Sequence, residues 1–320
     1  MQKRPLGRSG LETAPLVFGG NVFGWTADRD ASFALLDRFV DAGFNAIDTA
    51  DAYSRWVPGH AGGESETIIG EWLKASGRRD EVLILTKVGS SMGQNGSDDR
   101  HDLSPGWIER AVEDSLRRLQ TDVIDLYQAH WPDERTPQEE TLRAFDRLVQ
   151  AGKLRAIGVS NHSAEATAEA LAVSDREGLA RYATLQPHYN LYSRPTFEGP
   201  LQDLAVKEGL SAITYFSLEA GFLTGKYQTA DQVAGTAREG MLKDKFDERG
   251  MRILATLRAV AERNEATPAQ VSLAWLLTRP GVAAPIVSAT SVAQLDDTLK
   301  AAELTLSTED LAELTQASDG

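Results

Sequence analysis

Short apolar runs alternate with amphipathic stretches along the whole chain. The runs fall at 14–20, 44–50, 81–87, 122–128, 154–160, 183–187, 210–216 and 282–288. They are rich in Val, Ile and Leu and lack strict alternation, the pattern of parallel strands buried on both faces. Between them, apolar residues recur at helical spacing. Residues 30–42 put Phe33, Leu36, Phe39 and Val40 on one face and stop at Gly43. Over 104–119, Ser104 is placed to cap and Pro105 takes the first helical position. Thr136 and Glu139 have capping-box spacing with Pro137 between them, and the helix they open closes at Gly152. Thr267 and Gln270 repeat the device, and "LSTEDLAELTQAS" reads as a terminal helix. Eight alternations of β and α predict one (β/α)8 TIM barrel spanning 1–320, with an open doubly wound sheet as the runner-up. Residues 89–102 and 225–248 are long, polar and Gly-containing, and read as loops over one face of the barrel.

Composition narrows the function more than the fold. Lys and Arg number 33 against 47 Asp and Glu, a net charge of −14. That argues against a nucleic-acid or anionic-membrane surface, which needs clustered cations. Cys is absent, which excludes disulfides, thiolate metal sites and a Cys nucleophile. The N-terminus lacks a continuous apolar segment of the secretory kind, and no apolar run reaches membrane-spanning length. A cytoplasmic location is therefore expected.

In this barrel type the chemistry sits at the C-terminal ends of the strands. Reading those ends in order gives Asp48, Lys87, His130, Ser160 and Asn161, Gln186, Tyr215 and Ser288, with Tyr53 on the loop after Asp48. Singly, each has a plain structural explanation: a turn carboxylate, a packed phenol, a snorkelling Lys, a structural His. Together on one mouth they suit a specific task. Tyr has an ordinary pKa of ~10 and is a weak acid, and a neighbouring ammonium lowers that value. Asp48 can hold Lys87, and His130 can orient a carbonyl oxygen beside the Tyr53 hydroxyl. Such a set protonates an oxygen that is gaining charge. The hydride that carbonyl reduction also needs implies a nicotinamide cofactor. Ser160, Asn161 and Gln186 carry groups suited to its carboxamide, and Tyr215 offers a face for the ring. Neither a G-x-G-x-x-G nor a P-loop motif is present. The phosphate anchor is therefore expected at "SATSVAQL" (288–295), a helix N-terminus, where Ser291 and Gln294 also have capping-box spacing.

With these motifs in place, the sequence resembles the aldo-keto reductases over about residues 1–315. "RPLGRSGLETAPLVFGG" is similar to the family's N-terminal hairpin and first strand, "AIDTADAYS" to its Asp and Tyr segment, and "LILTKVG" to its Lys strand. "VIDLYQAHWPD" resembles the His strand, "GKLRAIGVSNHS" the Ser-Asn strand, and "GFLTGKY" the segment over the cofactor pyrophosphate. The resemblance implies a catalytic tetrad of Asp48, Tyr53, Lys87 and His130. It implies nicotinamide contacts from Ser160, Asn161, Gln186 and Tyr215. Pyrophosphate contacts are implied around Leu223, Gly225 and Lys226, and adenosine-end contacts at Ser288, Gln294 and Asp297. It implies interconversion of an aldehyde or ketone with its alcohol, without metal, by a chain that is expected to be a monomer. NADP(H) is favoured and NAD(H) is the alternative, because residues 288–298 carry no basic side chain for a 2′-phosphate. The seventh strand continues as "YFSL" where many relatives have "YSPL", placing Phe216 near the cofactor or pocket. A non-catalytic, cofactor-binding regulatory subunit is the competing function. A metal-dependent hydrolase is disfavoured by the spacing of the five His. Trp25, Trp56, Trp131 and Phe216 flank strand ends and suggest an aromatic-walled, open pocket.

Overall fold

The computed structural model describes residues 1–91, 101–236 and 238–319. An antiparallel hairpin of β1 (Arg4–Pro5) and β2 (Glu12–Thr13) precedes a closed barrel of eight parallel strands. These are β3 (Val17–Gly19), β4 (Ala46–Asp48), β5 (Leu83–Val88), β6 (Ile124–Ala129), β7 (Leu154–Ser160), β8 (Tyr182–Gln186), β9 (Ser211–Thr214) and β10 (Val282–Val287). Closure comes from β10 pairing with β3, Ile286 opposite Val17 and Val287 opposite Phe18. Each of the eight apolar runs supplies one strand, so the barrel is the fold that the sequence pattern predicts.

Side chains alternate along each strand, and every second residue points inward. Val17, Ala46, Leu85, Leu126, Ala156, Ile213 and Ala284 fill the lower interior, and Leu6 and Leu11 of the hairpin plug it from below. One step further up the barrel, Asp48, Lys87 and Gln128, with Gln186 at the end of β8, replace the hydrocarbon, all of them buried. The barrel is thus an apolar plug topped by one polar layer. The space above is tight: a Cβ at Gly158 would lie 2.2 Å from Thr184 Oγ1, which explains the glycine on β7.

The outer ring comprises α1 (Arg29–Asp41), α2 (Glu64–Ser76), α3 (Pro105–Leu119), α4 (Gln138–Gln150), α5 (Ala164–Glu177), α6 (Pro200–Glu208), α7 (Glu239–Leu242), α8 (Glu248–Arg263), α9 (Pro268–Leu277), α10 (Val292–Leu299) and the terminal α11 (Thr308–Ser318). The cap predicted at α9 is present in full, with Thr267 and Gln270 each bonding the other's backbone. The cap predicted at α4 is absent. Thr136 donates its hydroxyl to Asp133 Oδ2 at 2.7 Å, and Pro137 takes the N-cap position. A carboxylate already held in the loop outcompetes the helix amide for that hydroxyl. At α10 half the predicted box forms: Ser291 accepts from Gln294 N, whereas Gln294 Oε1 turns to the backbone and hydroxyl of Thr290.

Segment 225–248 is not the plain loop that its polarity suggests. It carries a 3-10 turn at Ala230–Val233 and the short α7, anchored by the buried Val233 and Leu242. It leads into α8, which is capped by Asp247 accepting from Gly250 N and packs against α11. Residues 92–100 of the loop expected at 89–102 lie outside the described residues. Among the described residues, no helix is long and apolar enough to cross a membrane.

Candidate active site

Strand β4 ends in Asp48, and the chain then turns sharply over the barrel mouth. That turn is bolted to β5 at two points: Thr49 N donates to Leu85 O, and Asp51 N donates to Lys87 O. Lys87 closes the clamp. Its ammonium, wholly buried, donates to Asp48 Oδ2 at 2.7 Å, to the Thr49 carbonyl at 2.8 Å and to the Tyr53 hydroxyl oxygen at 2.9 Å. An ammonium has three protons, so every one is used. The Tyr53 hydroxyl also points at Asp48 Oδ2, 3.5 Å away. Asp48 Oδ1 accepts from Gln186 Nε2 at 2.8 Å, and Gln186 in turn reaches Gln128 Oε1. The carboxylate is held at both oxygens, as a buried ion must be.

The electrostatics follow from this burial. Desolvation pulls the Lys87 pKa down, but Asp48 and Tyr53 more than offset it, so the ammonium is held above its ordinary value and stays charged. Tyr53 departs from expectation. Burial and the Asp48 charge outweigh Lys87, and its phenol is raised above the ordinary value instead of lowered. Tyr53 therefore keeps its proton at neutral pH. His130 lies edge-on to Tyr53, ring centroids 6.1 Å apart. Burial, then Lys87 and His101, pushes its pKa well below the usual range, so the imidazole is neutral. Among the described residues, its buried Nδ1 has no hydrogen-bond partner.

The next three strands present the residues expected around a nicotinamide. Asn161, held at φ +60°, donates to the His130 carbonyl at 2.9 Å and accepts from the Tyr215 hydroxyl at 2.7 Å. Ser160 donates to the Gln186 carbonyl at 2.8 Å. Tyr215 is half-buried, and its phenol is pushed up to about 12, mainly by burial. Gln186 closes β8 within the buried polar layer. Its amide is bonded to Asp48 inside the barrel, where it supports the carboxylate.

The remaining candidates are spread over β10, α10 and the segment after β9. Leu223 is wholly buried in the core, and Gly225, at φ +70°, abuts Pro268 at the start of α9. Lys226 is exposed, with its ammonium over the Tyr227 ring. Asp297 accepts from Thr267 Oγ1 and Gln270 Nε2, which ties α10 to the same helix end. Ser288, Thr290, Ser291 and Gln294 are exposed at the N-terminus of α10. The single proton of the Ser288 hydroxyl is shared between the Gly19 carbonyl at 2.8 Å and Asn21 Oδ1 at 2.7 Å. Hydroxyls, a helix N-terminus and an ammonium are a donor set that fits phosphates. A flat half-buried ring at Tyr215 fits a nicotinamide. Among the described residues, no group of three or more His, Asp or Glu is placed to hold a metal ion.

A family model described as Aldo/keto reductase family matches residues 15–319. The chain belongs to the aldo/keto reductase family. Protein tas of Escherichia coli is 34% identical over 98% of this chain and 96% of its own length. The aldo-keto reductase YhdN of Bacillus subtilis is 32% identical over 97% of this chain and 91% of its own. A probable voltage-gated potassium channel subunit beta of rice is 33% identical, covering 95% and 92%. Aldo/keto reductases act on small carbonyl compounds with NAD(P)H, which agrees with the chemistry of this site.

Two contributors escaped the sequence reading. Gln128 braces Gln186, and the inward alternation Leu126, Gln128 along β6 is the signal that could have found it. Glu219, an acid in an apolar stretch, is the other. Its oxygens are shared by His188, Asn190, Ser193 and Lys245.

Proposed function

We propose that the protein is a NAD(P)(H)-dependent oxidoreductase that interconverts an aldehyde or ketone with its alcohol, with Tyr53 as general acid and base. The observation that carries this reading is the single ammonium of Lys87 bridging Asp48 and the Tyr53 hydroxyl at the mouth of the barrel. A nicotinamide, when bound, supplies or accepts the hydride. Tyr53 holds a proton at neutral pH and lies beside a neutral imidazole. A carbonyl oxygen placed between Tyr53 Oη and the His130 ring can be polarised by both. As that oxygen gains charge, Tyr53 gives up its proton and the adjacent ammonium stabilises the phenolate left behind. Asp48 keeps the ammonium oriented throughout, and Gln186 keeps Asp48 in place. Alcohol oxidation is the same proton path in reverse.

The rim suggests the substrate. Trp56 packs edge-on to both Trp25 (5.7 Å) and Tyr53 (6.0 Å), and Trp131 stacks on His101 (5.4 Å). Trp56, Trp131 and Phe216 are 47%, 37% and 45% exposed, unusual for such large rings. Flat, apolar carbonyl compounds suit these walls better than sugars. NADP(H) is the favoured cofactor, with Lys226 as the candidate cation for its pyrophosphate.

The likeness to a probable potassium channel subunit beta favours a second reading, a cofactor-binding subunit without catalytic duty. Side-by-side fluorescence titrations with NADPH and NADH, followed by a panel of aromatic and aliphatic carbonyls, separate the two. Tight binding with turnover of aromatic aldehydes supports the oxidoreductase. Binding without turnover of any carbonyl supports the subunit, and no binding of either nucleotide contradicts both.

A further inference from the structure

Among the buried acids outside the tetrad and the rim, Glu219 lies directly behind the His188 ring that stacks on Tyr215. We infer that His188 and Glu219 are positioning residues that set the ring of Tyr215 as a seat for the nicotinamide. The inference rests on the reading of Tyr215 as that seat.

The geometry is a stack of supports. One face of Tyr215 is covered by the His188 ring, centroids 5.4 Å apart and 26° from parallel. The two backbones are also joined, Tyr215 N donating to Pro187 O and Tyr189 N to Tyr215 O. With the hydroxyl fixed on Asn161 Oδ1, the ring is pinned at one edge and one face. His188 is itself fixed, because its Nε2 bonds Glu219 Oε2 at 2.9 Å.

Glu219 is anchored on every side. It is 5% exposed, and the same oxygen accepts from Asn190 Nδ2 at 2.5 Å and Ser193 Oγ at 2.9 Å. Its other oxygen pairs with Lys245 Nζ at 2.8 Å. Burial pushes its pKa up, but the bonds from His188, Lys245 and Asn190 win and hold it at about 2. The carboxylate is thus ionised at any working pH.

The turn that delivers Glu219 is strained. Phe216, Glu219 and Ala220 all have positive φ (+50°, +46° and +53°), and none is glycine. Asn190 Nδ2 holds the Phe216 carbonyl at 2.8 Å, and Arg238 Nη1 holds the Ala220 carbonyl at 2.5 Å. A relaxed turn would not carry the carboxylate under His188. The strain is accounted for if the ring seat needs a rigid backing.

A loop staple with no bearing on the cofactor would show the same bonds, so the test must separate the two ends of the nucleotide. The tighter of NADPH and NADH is titrated by fluorescence alongside its nicotinamide-free fragment, 2′,5′-ADP or ADP. The proteins are wild type, His188→Ala, His188→Phe and Glu219→Gln, each checked by circular dichroism. We expect His188→Ala and Glu219→Gln to weaken the whole nucleotide about tenfold and the fragment less than twofold. His188→Phe keeps a flat ring against Tyr215 and should recover most of the loss. Equal weakening of nucleotide and fragment, or no weakening of either, overturns the positioning role. If wild type binds the fragment but gains nothing from the nicotinamide half, the seat at Tyr215 fails, and this inference with it. If wild type binds and turns over normally and only the variants disobey, the seat stands and the positioning role alone falls.

Discussion

Asp51 lies between Asp48 and Tyr53, and its replacement by Asn should make the protein more stable, increasingly so as pH rises. The carboxyl is 2% exposed, and neither oxygen has a donor at good hydrogen-bonding geometry. Burial first, and the charge of Glu66 second, raise its pKa to about 8, with Arg118 and the Ala52 amide pulling the other way. An unfolded Asp titrates near ~3.9. Between those two values the folded protein holds a proton that the unfolded chain has released. Stability then falls with pH, by at most ~1.4 kcal/mol per unit. Whatever stability Asp51 contributes is present below about pH 4 and is lost as pH climbs through 8. Summed over the window the loss reaches ~6 kcal/mol as an upper limit, since a relaxing site admits water and screens the charge. A carboxamide at this position cannot ionise. Urea unfolding of wild type and Asp51→Asn at about pH 5, 6.5 and 8 reads the difference through the midpoint at constant m. The gap should open in favour of the variant by at least ~2 kcal/mol from the lowest to the highest pH. Parallel curves, or a variant that loses ground as pH rises, would refute a protonated Asp51.

Three further predictions concern the mouth of the barrel. Asp48→Ala strands a buried ammonium and should cost about 3–5 kcal/mol in urea unfolding, and adding Lys87→Met should restore part of that stability without restoring turnover. Carbonyl reduction should show a level kcat/KM from about pH 6 to about 9, because Tyr53 is raised above its ordinary ~10 and His130 is held below its ordinary ~6.5. An imidazole limb near neutrality in the pH–rate profile contradicts this. Lys226→Ala should weaken NADPH and NADH alike, about tenfold, in fluorescence titrations, and unchanged affinity for both would remove Lys226 from the pyrophosphate.

The strands and the polar cluster of Asp48, Tyr53 and Lys87 were legible because both leave marks on a linear pattern. A polar residue that ends an apolar run is costly inside a barrel unless it has work at the mouth, and Asp48, Lys87 and Gln186 all interrupt such runs. What stayed hidden depends on contacts between distant segments. Thr136 has the spacing of a cap, but Asp133 takes its hydroxyl. Gln186 has the chemistry of a carboxamide ligand, and its bond to Asp48 joins two strands far apart in the chain. The sign of the Tyr53 shift depends on how far burial outweighs one ammonium, and spacing carries no burial. Segment 225–248 looked unstructured because its Lys, Asp and Glu mask the few apolar anchors, Val233 and Leu242, that fold it. Glu219 is marked only as an acid in an apolar stretch, since its four partners lie on two other stretches of chain, one before it and one after.

The central claim is that Tyr53 moves the proton, and one pair of measurements on Tyr53→Phe tests it most directly. The variant keeps the ring that packs against Trp56 and removes only the hydroxyl that Lys87 holds. Cofactor affinity, read by fluorescence titration, should stay within about twofold of wild type, while kcat for an aromatic aldehyde should fall by at least ~10²-fold. Retention of wild-type kcat with unchanged cofactor binding would contradict the assignment of Tyr53 as the acid.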